Sequence, residues 1–382
     1  MYSQEEINSA VAAGAMSQES ADALRAHVAD MRARPVTDEE HFRLVNSFND
    51  IFVAIGVVIM LLAVGAIGQA IGGSFVARPA APPMDAAEDV WRVYNAASTT
   101  RQMLELAFAA ILVAGTAWGL AEFFTRKRRM ALPSILLLIA FVGGVFATCI
   151  AASIGLFAGW SDMDRIAAGL ISLSGLIAAG AAWLHWRRFM VPITVAAGTA
   201  ALAVTVIALI IAVIGPANAE RVEHLMLALV LVAGLTIFAF AMRWDISDRQ
   251  RETRRSDVAF WLHLLAAPMI AHPIFHWLGV TDGGTIGIGG ALGVIVVYVL
   301  FGLVALAIDR RALLVSALAY VLAALTFLFD EFGAVELNFA LTALVIGSAL
   351  LTLSAFWTPI RSWIVGLLPG DLQTRLPLAS AA

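Results

Sequence analysis

Ten long apolar runs divide the chain, and they fix its solvent before anything else can be argued. They extend from Ile51 to Gly73, Met103 to Phe124, Met130 to Phe157, Ile166 to Trp186, Phe189 to Ile214, Val222 to Trp244, Val258 to Leu278, Ile286 to Ile308, Ala312 to Phe329 and Leu337 to Trp357. A helix rises 1.5 Å per residue, so ~20 residues cross a ~30 Å hydrocarbon layer, where backbone groups must find partners inside the helix. Composition agrees: 61% of the 382 residues are hydrophobic and 14% charged, against about 45–50% and about 25% in a soluble domain. The fold class is therefore all-α, a polytopic transmembrane helix bundle of about ten spans.

Orientation is read from the basic residues. With the N-terminus in the cytosol, 19 of the 24 fall on the inner side, among them Arg126-Lys127-Arg128-Arg129, Arg187-Arg188, Arg249, Arg251, Arg254, Arg255 and Arg310-Arg311. The outer side keeps Arg78, Arg92, Arg101, Arg165 and Arg221. The bias persists through every hairpin, as the positive-inside rule requires, and predicts an N-in/C-in topology. The organisation expected is a cytosolic helical hairpin and juxtamembrane helix over 1–49, the bundle over 50–358, and an interfacial amphipathic helix with a disordered tail over 359–382. Because the first apolar run begins only at Ile51, no removable signal peptide is expected.

In the N-terminal region, Ser3 with Glu6 and Thr37 with Glu40 form capping-box patterns, the second opening a helix through Phe42 and Val45. Ile7, Ala10 and Val11 line one face before Gly14. Ser17 can cap a second helix carrying Ala21, Leu24, Val28 and Met31. Two such short stripes bury too little to fold alone, so the hairpin is expected to meet the bundle, a second copy or a protein partner. The loop from Arg78 to Arg101 predicts a short helix at the outer interface, with Asp85 as cap and Trp91 and Tyr94 at headgroup level. Ile360, Trp363, Ile364, Leu367 and Leu368 predict a helix on the inner surface.

The pattern Ile7, Ala10, Val11, Gly14, Met16, Ser17, Ala21, Leu24, set before a many-spanning apolar domain, resembles the N-terminal segment of a group of uncharacterised bacterial multi-pass inner-membrane proteins. In that group a short helix, glycine, helix element precedes about ten spans. The resemblance covers roughly the first 35 residues. It implies the bacterial inner membrane and carries no catalytic residue.

Several function classes fall away. A net charge of −4 offers no concentrated basic face for nucleic acid. The one cysteine, Cys149, permits neither an intrachain disulfide nor a cysteine-ligated metal site. Lys127 is the only lysine, so no phosphate-binding loop of the Gly-Lys-Ser/Thr type exists. The glycine-rich run from Gly283 to Gly290 follows a membrane turn instead of a strand, against nucleotide binding. No cofactor is expected, haem included, because His185 and His224 lie at span ends away from His263 and His276.

No Asp, Glu, Lys or Arg occupies the middle of a span, which disfavours a carboxylate-driven pump. The deepest ionisable groups read from sequence are His263, His272 and His276 on the seventh span, which Pro268 and Pro273 are expected to kink. His272 and His276, four residues apart, share a helical face. With an acid from another helix they are the candidates for catalysis or a divalent metal, Glu105 and Asp330 being the acids singled out among Asp162, Asp164, Glu223, Asp282, Glu331 and Glu336. The ordinary alternative is that they are interfacial polar residues.

Gly68 with Gly72, Gly115 with Gly119, and Gly289 with Gly293 allow close helix approach, inside the bundle or between copies. Arg128-Arg129-Met130-Ala131-Leu132-Pro133 echoes Arg187-Arg188-Phe189-Met190-Val191-Pro192. Either duplication of a hairpin or independent use of a good helix start accounts for the echo.

Three functions remain, with membrane lipids as the common partner. The best fit is permease- or flippase-like handling of a small or lipid-linked molecule, which predicts a wet cavity beside His272 and Tyr298. The second is a membrane-embedded enzyme at His272 and His276, which needs their convergence with an acid. The third is a non-catalytic assembly or sensing component acting through the N-terminal hairpin, which needs an exposed apolar face there.

Overall fold

A computed structural model describes residues 4–33, 48–160, 163–214, 219–249, 251, 253–280, 287–332 and 337–377. Ser3, the helix expected from Thr37 to Val45, Asp162, Asp282, Glu336, the turn residues Gly283 to Ile286 and residues 378–382 lie outside the described residues, as does the side chain of Asp164. Among the described residues the regular structure is all helical, and ten helices are long and apolar enough to cross a membrane.

The N-terminal hairpin pairs α1 (Gln4–Ala12) with α2 (Gln18–Ala33). Gly14 takes a φ of 69°, the left-handed stop that glycine adopts at least cost. Ser17 Oγ accepts from the amide of Ser20 at 3.1 Å, the cap expected for α2. Arg25 Nη2 reaches Asn8 Oδ1 at 2.5 Å and ties the two helices.

The spans are α3 (Phe48–Ser74), α4 (Glu88–Ala121), α5 (Ala131–Leu156), α6 (Met163–Phe189), α7 (Ile193–Ile214), α8 (Ala219–Ser247), α9 (Arg254–Trp277), α10 (Ile288–Ile308), α11 (Ala312–Glu331) and α12 (Asn338–Ala355). A π-helical turn, Glu122–Lys127, extends α4. The separate interfacial helix expected near Trp91 is instead the start of α4. This single helix of 34 residues is about 51 Å long at 1.5 Å per residue and overshoots a ~30 Å core. Its N-cap is Ala87, not Asp85.

After α12 come α13 (Trp357–Leu367) and the short α14 (Gly370–Gln373). Helix α13 is the amphipathic element read from sequence. Ile360 and Ile364 pack beside Leu306 and Leu314, while Trp363 and Leu367 stay exposed. The segment expected as a disordered tail is packed as far as Pro377, with Leu376 buried. There Arg249 Nε donates to the Leu376 carbonyl at 2.9 Å, and Arg361 Nη2 to that of Pro377 at 2.8 Å.

Packing follows chain order. Helix α3 lies on α4 and α5, then α6 on α7, α8 on α9 and α10 on α11. Helix α9 also meets α7 and α11. It is the most enclosed span at 56% buried, against 11% for α12 and 17% for α3. The reason is in its sequence: Ser256, Asp257, His263, His272 and His276 make it the least apolar span, and lipid would leave those groups without partners. It runs as one helix through Pro268 and Pro273.

Where α3 crosses α4, a Cβ on Gly68 would stand 2.5 Å from the Ala109 Cα, and one on Gly72 2.6 Å from the Leu104 carbonyl oxygen. These glycines let the backbones touch. Gly115, Gly119 and Gly289 face open space, so the Gly115–Gly119 spacing does not serve packing inside the bundle, while Gly293 lies against Leu278, 3.1 Å from where its Cβ would stand.

Four non-glycine residues among those described adopt left-handed backbone: Arg129 (φ 53°), Met190 (56°), Arg251 (55°) and Asp309 (58°). Each stands in a turn at the arginine-rich face, between α4 and α5, α6 and α7, α8 and α9, and α10 and α11, and each is about 60 residues from the next. Left-handed conformation costs an L-residue ~1–2 kcal/mol. It is held here because a helix reversing in so few residues closes its last carbonyls this way. At Asp309 the amide of Arg310 bonds the Ala305 carbonyl at 2.9 Å, which sets the arginine's direction. The echo read from the arginine pairs is displaced in space, since the left-handed residue is Arg129 in one turn and Met190 in the other.

Candidate functional site

The strongest polar constellation joins the ends of α8, α9 and α10 at the arginine-rich face. Asp245, in the last turn of α8, accepts from Arg310 Nη2 at 2.7 Å and from Nε at 3.4 Å. Arg310 Nη2 also reaches the Ser256 carbonyl at 3.2 Å and Oγ at 3.3 Å. His263 Nε2 lies 2.9 Å from Asp245 Oδ2. The side chains of Asp245, His263 and Arg310 are only 1–3% exposed. Inside a bundle such a pair is tolerated because each charge meets its opposite and the spare donors find oxygen.

A further group of charged side chains adjoins it. Arg251 Nη1 donates to Asp309 Oδ2 at 2.8 Å, and Trp357 Nε1 to Asp309 Oδ1 at 2.7 Å. Arg361 Nε stands 3.6 Å from the same carboxylate. Burial, with the nearby Arg310, holds the Arg251 guanidinium below its ordinary pKa, and Asp309 opposes that shift. These contacts lock α13 and the following segment onto the turns of the last four packed spans.

The first half of the bundle contains the same device. Glu122, just past the end of α4, accepts from Arg188 Nε at 2.7 Å and from Nη2 at 2.9 Å. The donor atoms are those Arg310 uses toward Asp245, and the separations in sequence are 66 and 65 residues. In each half the acid stands at the end of the first of four helices, and the arginine at the junction of the third and fourth, Arg188 in the last turn of α6 and Arg310 in the turn after α10. In each half an arginine in left-handed backbone, Arg129 or Arg251, occupies the first turn.

The halves then differ. The left-handed residue of the second turn is Asp309 in one half and Met190 in the other. Arg251 therefore has a carboxylate across from it, while Arg129 makes no ion pair with any described carboxylate.

A cleft of about 540 Å³ opens at this place. Its walls include Arg126, Arg129, Met190, Arg254, Asp257 and Trp261, with Thr125 and Ser134 among its polar groups. Arg126 leans on Glu122 at 3.3 Å, and Arg254, like Arg129, makes no ion pair with a described carboxylate. Arg129 and Arg254 against Asp257 leave the cleft cationic even with Arg126 paired to Glu122. Thr125 is 8% exposed, and its hydroxyl finds no hydrogen-bond partner among the described residues.

The candidates read from sequence stand at the opposite face. His272 and His276 share a face of α9, with ring centroids 6.2 Å apart. His272 Nδ1 lies 2.9 Å from the Tyr320 hydroxyl, and His276 Nε2 lies 3.7 Å from Glu223. Tyr298, expected beside His272, packs instead among the side chains around Ala291 and Leu306. Glu105 pairs with Arg101 at 3.0 Å, and Asp330 accepts from Asn338 at 2.6 Å. No three His, Cys, Asp or Glu side chains among the described residues gather as a metal site. His185 is fully buried against Trp118, Phe141 and Phe189, with Nδ1 3.2 Å from Thr194 Oγ1.

Comparison with known proteins finds no family model, no curated protein and no solved structure that matches the chain.

The sequence places His263 among the deepest ionisable groups and Arg188 and Arg310 among the topology signals, but does not join them to Asp245 or Glu122. A signal was present. Acids at span ends on an arginine-rich face run against the charge bias, and Glu122, Asp245 and Asp309 are three such exceptions.

Proposed function

We propose that this multi-pass membrane protein is permease- or flippase-like, lying in the bacterial inner membrane with both ends cytosolic and handling a small or lipid-linked molecule. The observation that supports it is the recurrence of the acid–arginine tie in two successive four-helix halves. Units with an even number of spans enter the membrane with the same orientation. Such parallel repeats are one of the arrangements used by secondary transporters, which place their sites where the repeats meet. The arginine-lined cleft is bordered by the turns of α4–α7 and by the start of α9, the second helix of the other half. Arginine bias in the turns and the N-terminal resemblance support the topology and the inner membrane.

The test is reconstitution into vesicles carrying a fluorescent phosphatidylglycerol, with a membrane-impermeant quencher reading the outer leaflet. Faster exchange between leaflets than in vesicles with a heat-inactivated sample supports lipid handling. Exchange at the protein-free rate, together with no uptake of soluble phosphate esters, removes the permease assignment.

A membrane-embedded enzyme at His272 and His276 is the second reading, supported by the nearby Tyr320 hydroxyl and Glu223. Metal content and phenotype unchanged after both histidines are replaced by alanine would eliminate it.

A further inference from the structure

We infer that the cleft between Arg129 and Met190 binds the phosphate of an anionic lipid headgroup. The inference comes from comparing the two halves of the chain and stands whether or not the protein moves that lipid. In the second half, the left-handed Arg251 is neutralised by the left-handed Asp309 across the gap, and Trp357 and Arg361 close over that carboxylate. In the first half the corresponding arginine, Arg129, faces a turn whose left-handed residue is Met190. The chain supplies the anion in one half and leaves it to be supplied from outside in the other.

The ligand's chemistry follows from the walls. With Arg126 paired to Glu122, Arg129 and Arg254 still outnumber Asp257, so the cleft is cationic and suits a group with more than one anionic oxygen. The buried Thr125 hydroxyl, which has no hydrogen-bond partner among the described residues, gives the wall a further hydrogen-bonding group. Ile135, Val191 and Trp261 line the same cleft with apolar surface. The site also lies at the ends of membrane-spanning helices, at the depth where headgroups meet basic side chains. Arginine, charged and forked, suits phosphate there.

The experiment counts lipids retained by purified full-length protein, using native mass spectrometry after exchange into detergent with equal phosphatidylglycerol and phosphatidylcholine. The wild type is expected to keep phosphatidylglycerol in preference. Arg129→Gln and Arg254→Gln should each weaken retention about five- to tenfold, the scale of one arginine–phosphate contact near a membrane surface. Arg187→Gln, which lies over Trp183 away from the cleft, should leave retention unchanged.

The decisive variant is Met190→Asp, which restores the missing acid. Aspartate is well suited to a φ of 56°, as Asp309 shows at 58°. This variant should fold, with an unfolding temperature at or above wild type, and lose the bound lipid. Equal retention of the two lipids by wild type, or unchanged retention in Met190→Asp, overturns the inference. So does Arg129-dependent binding of inorganic phosphate without lipid preference, because the anion would then come from solution.

Discussion

At the residue scale, one bidentate carboxylate–arginine tie occurs twice with very different surroundings. The Glu122 and Arg188 side chains are 33% and 42% exposed, whereas those of Asp245 and Arg310 are 1% and 3% exposed. Water screens the first pair, so Glu122→Gln should leave the unfolding temperature in detergent nearly unchanged. Asp245→Asn strands Arg310 in the interior and should cost about 3–5 kcal/mol, lowering the unfolding temperature in detergent. Replacing both partners, with Asp245→Leu and Arg310→Met, should recover much of that loss because no charge is left unmatched. Equal losses from the Glu122 and Asp245 variants would contradict the burial difference. His263 belongs to the same account: its partner is Asp245, so a role in fixing the end of α9 at the arginine-rich face precedes any role in chemistry.

At the element scale, helix contacts depend on where a span has no side chain. Gly68→Leu must displace the backbone of α4 at Ala109, which separates α3 from the bundle. A Cβ on Gly115 meets nothing within 4 Å, so Gly115→Leu starts into open space. A cysteine pair across the α3–α4 crossing should therefore crosslink in wild type and in Gly115→Leu but lose yield in Gly68→Leu. Unchanged yield in Gly68→Leu would show that α3 does not depend on that close approach. The sequence could place all three glycine pairs but not rank them, since a small residue marks a permitted contact and the partner helix decides whether it is made.

Helix α9 was more legible. Its polar side chains had to be sheltered from lipid, and it became the most enclosed span. The beginning of α4 was misjudged because prolines and a cap candidate signal an end to the preceding loop without saying whether the next helix stops at the interface. Here no proline lies between Glu88 and Ala121, so the helix continues into the span.

At the scale of the whole molecule, ten spans and an arginine-rich face predict turns that alternate between compartments. Reporter fusions placed successively in the turns should report cytosol for those carrying Arg129, Met190, Arg251 and Asp309, and the opposite compartment for the intervening loops. Two neighbouring turns reporting the same side would break the thread and the N-in/C-in topology with it. The repeated tie is itself a statement at this scale, since residues 65 or 66 apart meet the same way in each half although the sequences around them differ. The His272, His276, Tyr320 and Glu223 group lies at the other end of the bundle and shares no residue with the repeated device.

The sequence by itself determined the solvent, the helical class and the number of spans, because hydrocarbon admits few backbone solutions and each span carries its own hydrogen bonds locally. Its arginine bias likewise showed which turns share a face. Only the tertiary structure decided that Asp245 finds Arg310, that Glu122 finds Arg188, and that Arg129 is left facing Met190. Those pairings join residues on different helices, and apolar periodicity in a span records that it lies in lipid without recording which neighbour it meets.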